Sequence, residues 1–117
     1  MRPRGETQKL ELLQGTLDML ILKTLLFGPI HGRGIANYLR QTTDRLLSVE
    51  QGSLYPALHR LERAELIAGT WEVRAGSARE LKYYRLTPRG RAQLRREQSK
   101  WDLLVAAITR VMRPAEG

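Results

Sequence analysis

The chain contains no cysteine, which excludes a disulfide framework and a cysteine-ligated zinc site. Its two histidines, His31 and His59, are far apart and show neither HxxxH nor HExxH spacing, so no metal centre is expected. No glycine-rich phosphate loop is present and no paired carboxylates stand out. Neither histidine has a nucleophile and an acid at telling spacing. These absences argue against an enzyme and against a bound cofactor. Long apolar runs are missing too. The longest, Leu17 to Phe27, contains Asp18, Lys23 and Thr24 and is too short to span a bilayer. Met1 to Lys9 is polar and lacks the apolar centre of a signal peptide. A soluble cytoplasmic protein without membrane contact is the expectation.

What remains is a chain of 117 residues, 42% hydrophobic, which suits one domain with a single core. Lys and Arg number 20 against 12 Asp and Glu, a net charge of +8 that suggests a polyanionic partner. Half of that excess falls in residues 89–117, which hold 7 basic and 3 acidic groups. Charge alone therefore does not locate a binding face.

Periodicity gives four helices and one hairpin. A first helix is expected from Thr16 to the Gly28-Pro29 stop. It is apolar nearly all round, with Leu17, Leu20, Ile21, Leu25 and Leu26 in helical register. Such a helix needs burial on several sides. A second runs from Gly32 to Gln41, with Ile35, Ala36 and Leu39 inward. The third spans Val49 to Glu65, with Ser48 and Gln51 at capping-box spacing and a core stripe of Leu54, Leu58, Leu61 and Ala64. Pro56 removes one helical hydrogen bond, so either the regular helix starts nearer Ser53 or its first turn is distorted. Leu66–Arg74 and Glu80–Thr87, separated by Ala75-Gly76-Ser77-Ala78, read as a β-hairpin, with Tyr84 favoured over Tyr83 for the core. The last helix has Thr87 as N-cap and Pro88 at its first position, and runs to Arg113-Pro114. Leu94, Trp101, Leu104, Val105, Ile108, Val111 and Met112 form a stripe near heptad spacing, longer than a small core can cover.

Three helices followed by a hairpin is the order of a winged helix-turn-helix, a mostly α (α+β) fold. Residues 1–87 would form that unit, and 88–117 a dimerisation helix belonging to the same compact body. The third helix would present Gln51, Ser53, Tyr55, His59 and Arg60 opposite its leucines, and the wing Arg74, Arg79 and Lys82. Hydroxyls at a helix start suit phosphates and base edges. The basic run Arg89, Arg91, Arg95, Arg96 and Lys100 is most simply a solvated face.

Four motifs in order carry a further signal: Leu13-Gln14-Gly15-Thr16-Leu17-Asp18; Gly28-Pro29 with His31-Gly32; Gly52-Ser53-Leu54-Tyr55-Pro56-Ala57-Leu58 with Arg60-Leu61-Glu62; and Lys82-Tyr83-Tyr84-Arg85-Leu86-Thr87. Together they strongly resemble the PadR family of bacterial transcriptional regulators, in its short form with one dimerisation helix. The resemblance implies a homodimer, usually a repressor, on a palindromic operator in double-stranded DNA. In some members a small aromatic ligand releases the DNA.

Carried over by position, Gly52 to Tyr55 match the major-groove turn, Lys82 a wing contact to the backbone, and Tyr38 an aromatic near the DNA face. Arg33 stands where an aromatic is common, and Glu80-Leu81 stand where basic residues are frequent. The first departure offers a phosphate contact; the second makes the wing less cationic. The expected DNA-binding set is thus Tyr38, Gln51, Gly52, Ser53, Tyr55, His59, Arg60, Arg79 and Lys82. The expected dimer interface is Leu17, Leu20, Leu94, Trp101, Leu104, Val105, Ile108 and Met112. Trp101 has two readings, a space-filling dimer residue or the wall of an effector pocket. A winged-helix module that binds another protein is the alternative function.

Overall fold

A computed structural model describes residues 14–113. The polar N-terminus, Leu13 of the first motif and the Pro114 stop lie outside them. In chain order the elements are α1 (Gln14–Leu25), β1 (Ile30–His31), α2 (Gly32–Thr42), α3 (Gln51–Arg63), β2 (Ile67–Val73), β3 (Glu80–Leu86) and α4 (Pro88–Met112). The three strands form one antiparallel sheet in the order β1-β3-β2.

The apolar circumference of α1 puts it at the centre, against α2, α3, α4 and β3. Leu17, Met19, Ile21, Leu22 and Leu25 are all buried in the core. The buried hydroxyl of Thr24 donates to the Leu20 carbonyl at 2.8 Å, which satisfies it within the helix. From α2 come Ile35 and Leu39, from the sheet Ile67 and Tyr84. Tyr84, rather than Tyr83, is indeed the core tyrosine of β3.

Each helix start has a definite cause. His31 caps α2: its Nδ1 accepts the Gly34 N–H at 3.1 Å. Thr87 caps α4: its Oγ1 accepts from Gly90 N at 2.9 Å, with Pro88 in the first turn. The expected capping box on α3 is not formed. Glu50 is the N-cap, with no side-chain cap bond, and its carbonyl accepts from both Ser53 (3.0 Å) and Leu54 (2.9 Å). Ser48 therefore lies two residues outside the helix. Val49 packs against the core that holds Leu54, the spacing of a hydrophobic staple, and this apolar anchor fixes the start instead. Pro56 sits inside α3 as a tolerated interruption. The core stripe takes Ala57 in place of Ala64, which is the exposed C-cap.

At the far end of α3, Glu65 adopts φ +62°. The Leu66 N–H bonds the Leu61 carbonyl and the Glu65 N–H that of Glu62, both at 3.0 Å, the pairing of a Schellman motif. The chain then turns directly into β2. Helix α4 is docked only at its beginning, through Gly90 and Leu94. From residue 98 to 113 every side chain is exposed.

Candidate nucleic-acid interface

Three elements meet around one groove of about 560 Å³. Gln51, Tyr55 and His59, four residues apart, line it from a single face of α3. The start of α2 supplies His31, Gly32 and Arg33. The hairpin supplies Trp71, Arg79, Leu81, Lys82 and Tyr84. Gly32 lets the Tyr55 ring approach: a Cβ there would sit 3.0 Å from the tyrosine oxygen. The start of α2 is in this way held against the exposed face of α3. Gly52 and Ser53 are exposed on the first turn of α3, beside the groove.

The cations divide into two groups. On α3 and the hairpin, four are engaged by carboxylates of their own chain. Arg60 Nη2 bonds Asp18 Oδ1 of α1 at 2.9 Å, so this arginine is drawn toward α1 while its side chain stays 35% exposed. Its Nε is buried without a partner. Burial raises the Asp18 carboxyl above its ordinary range, against the opposing pull of the Arg60 hydrogen bond and charge. Lys82 Nζ bonds Glu62 Oε1 of α3 at 2.9 Å and lies 5.4 Å from the Tyr84 ring centre. That hydrogen bond raises the Lys82 ammonium above its usual value. Arg74 and Arg85 share Glu72 at 3.0 and 3.3 Å, and Arg74 also covers the Tyr83 ring at 4.1 Å. A hydrogen bond from Thr70, reinforced by Arg85 and Arg74, lowers the Glu72 carboxyl. Arg33 of α2 and Arg79 before β3, by contrast, are exposed in the groove lining with no ion-pair partner among the described residues.

Several expected residues are thus brought together and others are not. Gln51, Tyr55, His59, Arg79 and Lys82 share the groove. Arg60 forms a strut between α3 and α1, where a carboxylate 42 positions away engages its guanidinium, and it is not among the groove residues. Tyr38 is half-exposed with its ring 5.9 Å from that of Phe27, and does not line the groove. Sequence reasoning passed over two groove residues, His31 and Trp71. In sequence His31 belongs to a turn, and Trp71, flanked by polar Thr70 and Glu72, has the alternation of an inward hairpin residue, yet it is exposed.

The expected dimer residues also divide. Leu17 and Leu94 are 5% and 4% exposed, spent in the protomer's own core, and have no surface left for a partner. Leu20 packs partly against that core. Trp101, Leu104, Val105, Ile108 and Met112 are exposed along one stripe of α4, with Val111 continuing it. Beside Trp101, a shallow cleft of about 270 Å³ runs between α4 and α1, lined by Gly15, Thr16, Met19, Glu97, Lys100 and Leu104. The arginines 89, 91, 95 and 96 are exposed on α4. No group of three or more potential metal ligands occurs among the described residues, and no helix there is long and apolar enough to cross a membrane.

Comparison with known proteins places this geometry. Residues 21–96 match the transcriptional regulator PadR-like family, more than half of the chain. A transcriptional regulator of Mycobacterium tuberculosis is 35% identical over 79 residues, 68% of this chain and 69% of that one. A transcriptional regulator from Clostridium thermocellum superposes with a TM-score of 0.77 at 28% identity, covering 86% of this chain and 96% of that chain. A PadR-like transcriptional regulator from Bacillus cereus gives 0.76 at 25% identity, covering 88% and 97%. Members of this family are transcriptional regulators rather than enzymes, and their winged helix is a DNA-binding unit. The chain belongs to the PadR-like family of transcriptional regulators.

Proposed function

We propose that the protein is a homodimeric repressor that binds a palindromic operator through α3 and the hairpin. The observation that carries this reading is the groove between them. One wall is a helix face of amide, phenol and imidazole, suited to base edges and phosphate. The other is a wing whose tip holds Arg79, without an ion-pair partner among the described residues. With α3 in the major groove, one phosphate strand runs between helix and wing. Gln51, Gly52, Ser53, Tyr55 and His59 face the bases and adjoining backbone, and Arg33 and Arg79 neutralise phosphate from either side. Lys82 contributes positive field while bonded to Glu62.

Residues 1–87 act as the DNA-binding unit and 88–117 as the dimerisation helix. The uncovered half of α4 supports this division. Residues 98–113 extend for roughly 24 Å with Trp101, Leu104, Val105, Ile108 and Met112 on one side. Water-exposed apolar area on that scale is removed by a second copy of the same helix. In the dimer, Trp101 stands both at the interface and beside the α1–α4 cleft, where a small flat aromatic effector would stack on its indole. The protein works in the cytoplasm, where its operator is.

Footprinting on the DNA upstream of its own reading frame tests the proposal. Two protected half-sites about one helical turn apart are expected. Replacing Tyr55 by Ala should weaken the footprint with the fold intact, whereas an unchanged footprint removes Tyr55 from the mechanism. Ile108→Glu should convert dimer to monomer in light scattering and abolish the paired protection.

A further inference from the structure

Trp71 is the largest side chain on the wing side of the groove, and it is 63% exposed. Among the described residues, no cation is stacked on its ring. Its cross-strand partner is Lys82, whose ammonium is held by Glu62 and lies over Tyr84 instead. Two residues earlier, Gly69 brings β2 so close that a Cβ would collide with Lys82 and press on Tyr84. Gly69 is not part of the groove lining, whereas Trp71 is. Arg79 and Leu81 of the hairpin line the same groove, and so does Arg33 of α2. An occupant of this groove meets an exposed indole together with two cations.

A nucleotide unit of duplex DNA has that pattern, with an apolar C–H face on its deoxyribose and a phosphate on either side. We infer that Trp71 is a DNA-contact residue, packing its indole on a backbone sugar of the strand that runs between α3 and the wing. The inference rests on the groove carrying that strand, as proposed above. Arg33 and Arg79 take the flanking phosphates and Trp71 supplies contact area that displaces water but no counterion. Its contribution is accordingly independent of salt and of base sequence, unlike that of the arginines.

Fluorescence anisotropy with upstream duplex DNA over a range of salt concentrations tests this, with circular dichroism confirming the fold of each variant. Trp71→Ala should bind about tenfold more weakly at every salt concentration, with the log–log salt slope unchanged. Trp71→Phe should recover most of the loss. Arg79→Ala should instead flatten the slope by about one unit. In a Trp101→Phe background, where Trp71 is the sole tryptophan, DNA should shield its fluorescence from acrylamide. Trp71→Ala affinity within twofold of wild type overturns the inference, as does a changed slope or unshielded fluorescence. A wild-type protein that binds no duplex overturns both this inference and the DNA reading beneath it.

Discussion

The carbonyl of Leu66 occupies the space where a Cβ on Gly90 would lie, so the first turn of α4 rests directly on the backbone entering β2. Thr87 completes the joint. Its hydroxyl approaches the carbonyls of Glu65 and Leu66 at 2.8 and 3.0 Å while accepting from Gly90 N. The root of the proposed dimerisation helix is thereby fixed to the end of the proposed recognition helix.

Gly90→Ala tests that joint. Alanine is the better helix former, so propensity alone predicts stabilisation. The obstacle is backbone, which cannot swing aside, and we expect a loss of about 2–3 kcal/mol in denaturant unfolding. A neutral or stabilising outcome would show that α4 can shift without penalty.

Glu65 offers the opposite sign. A left-handed residue with a side chain costs roughly 1–2 kcal/mol relative to glycine. Glycine's larger chain entropy in the unfolded state offsets part of the gain. Glu65→Gly should therefore stabilise by about 0.5–1 kcal/mol while leaving DNA binding unchanged. A lower melting temperature would contradict the Schellman geometry.

Asp18 and Arg60 form a strut from α1 to α3, and removing either end leaves its partner half-buried and unpaired. Asp18→Ala and Arg60→Ala should each destabilise by about 1–2 kcal/mol, with the double variant losing less than their sum. Additive losses in a double-mutant cycle would dissolve the pair. Because Asp18 is raised by burial, its ionisation opposes folding. That contribution favours the fold at pH below the usual carboxylate range and is lost as pH rises through the raised value.

Glu72 runs the other way. Thr70, Arg85 and Arg74 hold its carboxyl below its ordinary range, so its contribution is present above that range and lost as pH falls through the lowered value. Melting curves of wild type and Glu72→Gln should differ at neutral pH and converge in acid. A constant difference would mean that the charge on Glu72 is irrelevant.

Legibility in the sequence followed the range of the interactions. Thr87-Pro88 marks α4 because a cap and an N-terminal proline act within one turn. His31 and Thr87 are caps of that local kind, yet Ser48 has the same spacing signal and fails. The start of α3 is decided by Val49 reaching the core, which no spacing rule contains. Strand β1 is only Ile30 and His31, too short for any period, and it exists because β3 offers a free edge. The helix face bearing Gln51, Tyr55 and His59 follows from helical periodicity. The fate of the arginines does not: a charge is visible in sequence, whereas Asp18 for Arg60 or Glu62 for Lys82 appears only after folding. Leu17 and Leu94 lie in the protomer's own core, which periodicity does not show, since an apolar position does not announce whether its neighbour is the same chain or another.

The most direct test of DNA recognition is an anisotropy titration of the wild-type protein with its own upstream DNA and with a scrambled duplex, at low and at higher salt. Preferential binding of the native fragment that survives the higher salt is the expected result. Equal binding to both that collapses with salt would reveal only counterion release and contradict sequence-specific regulation through this site.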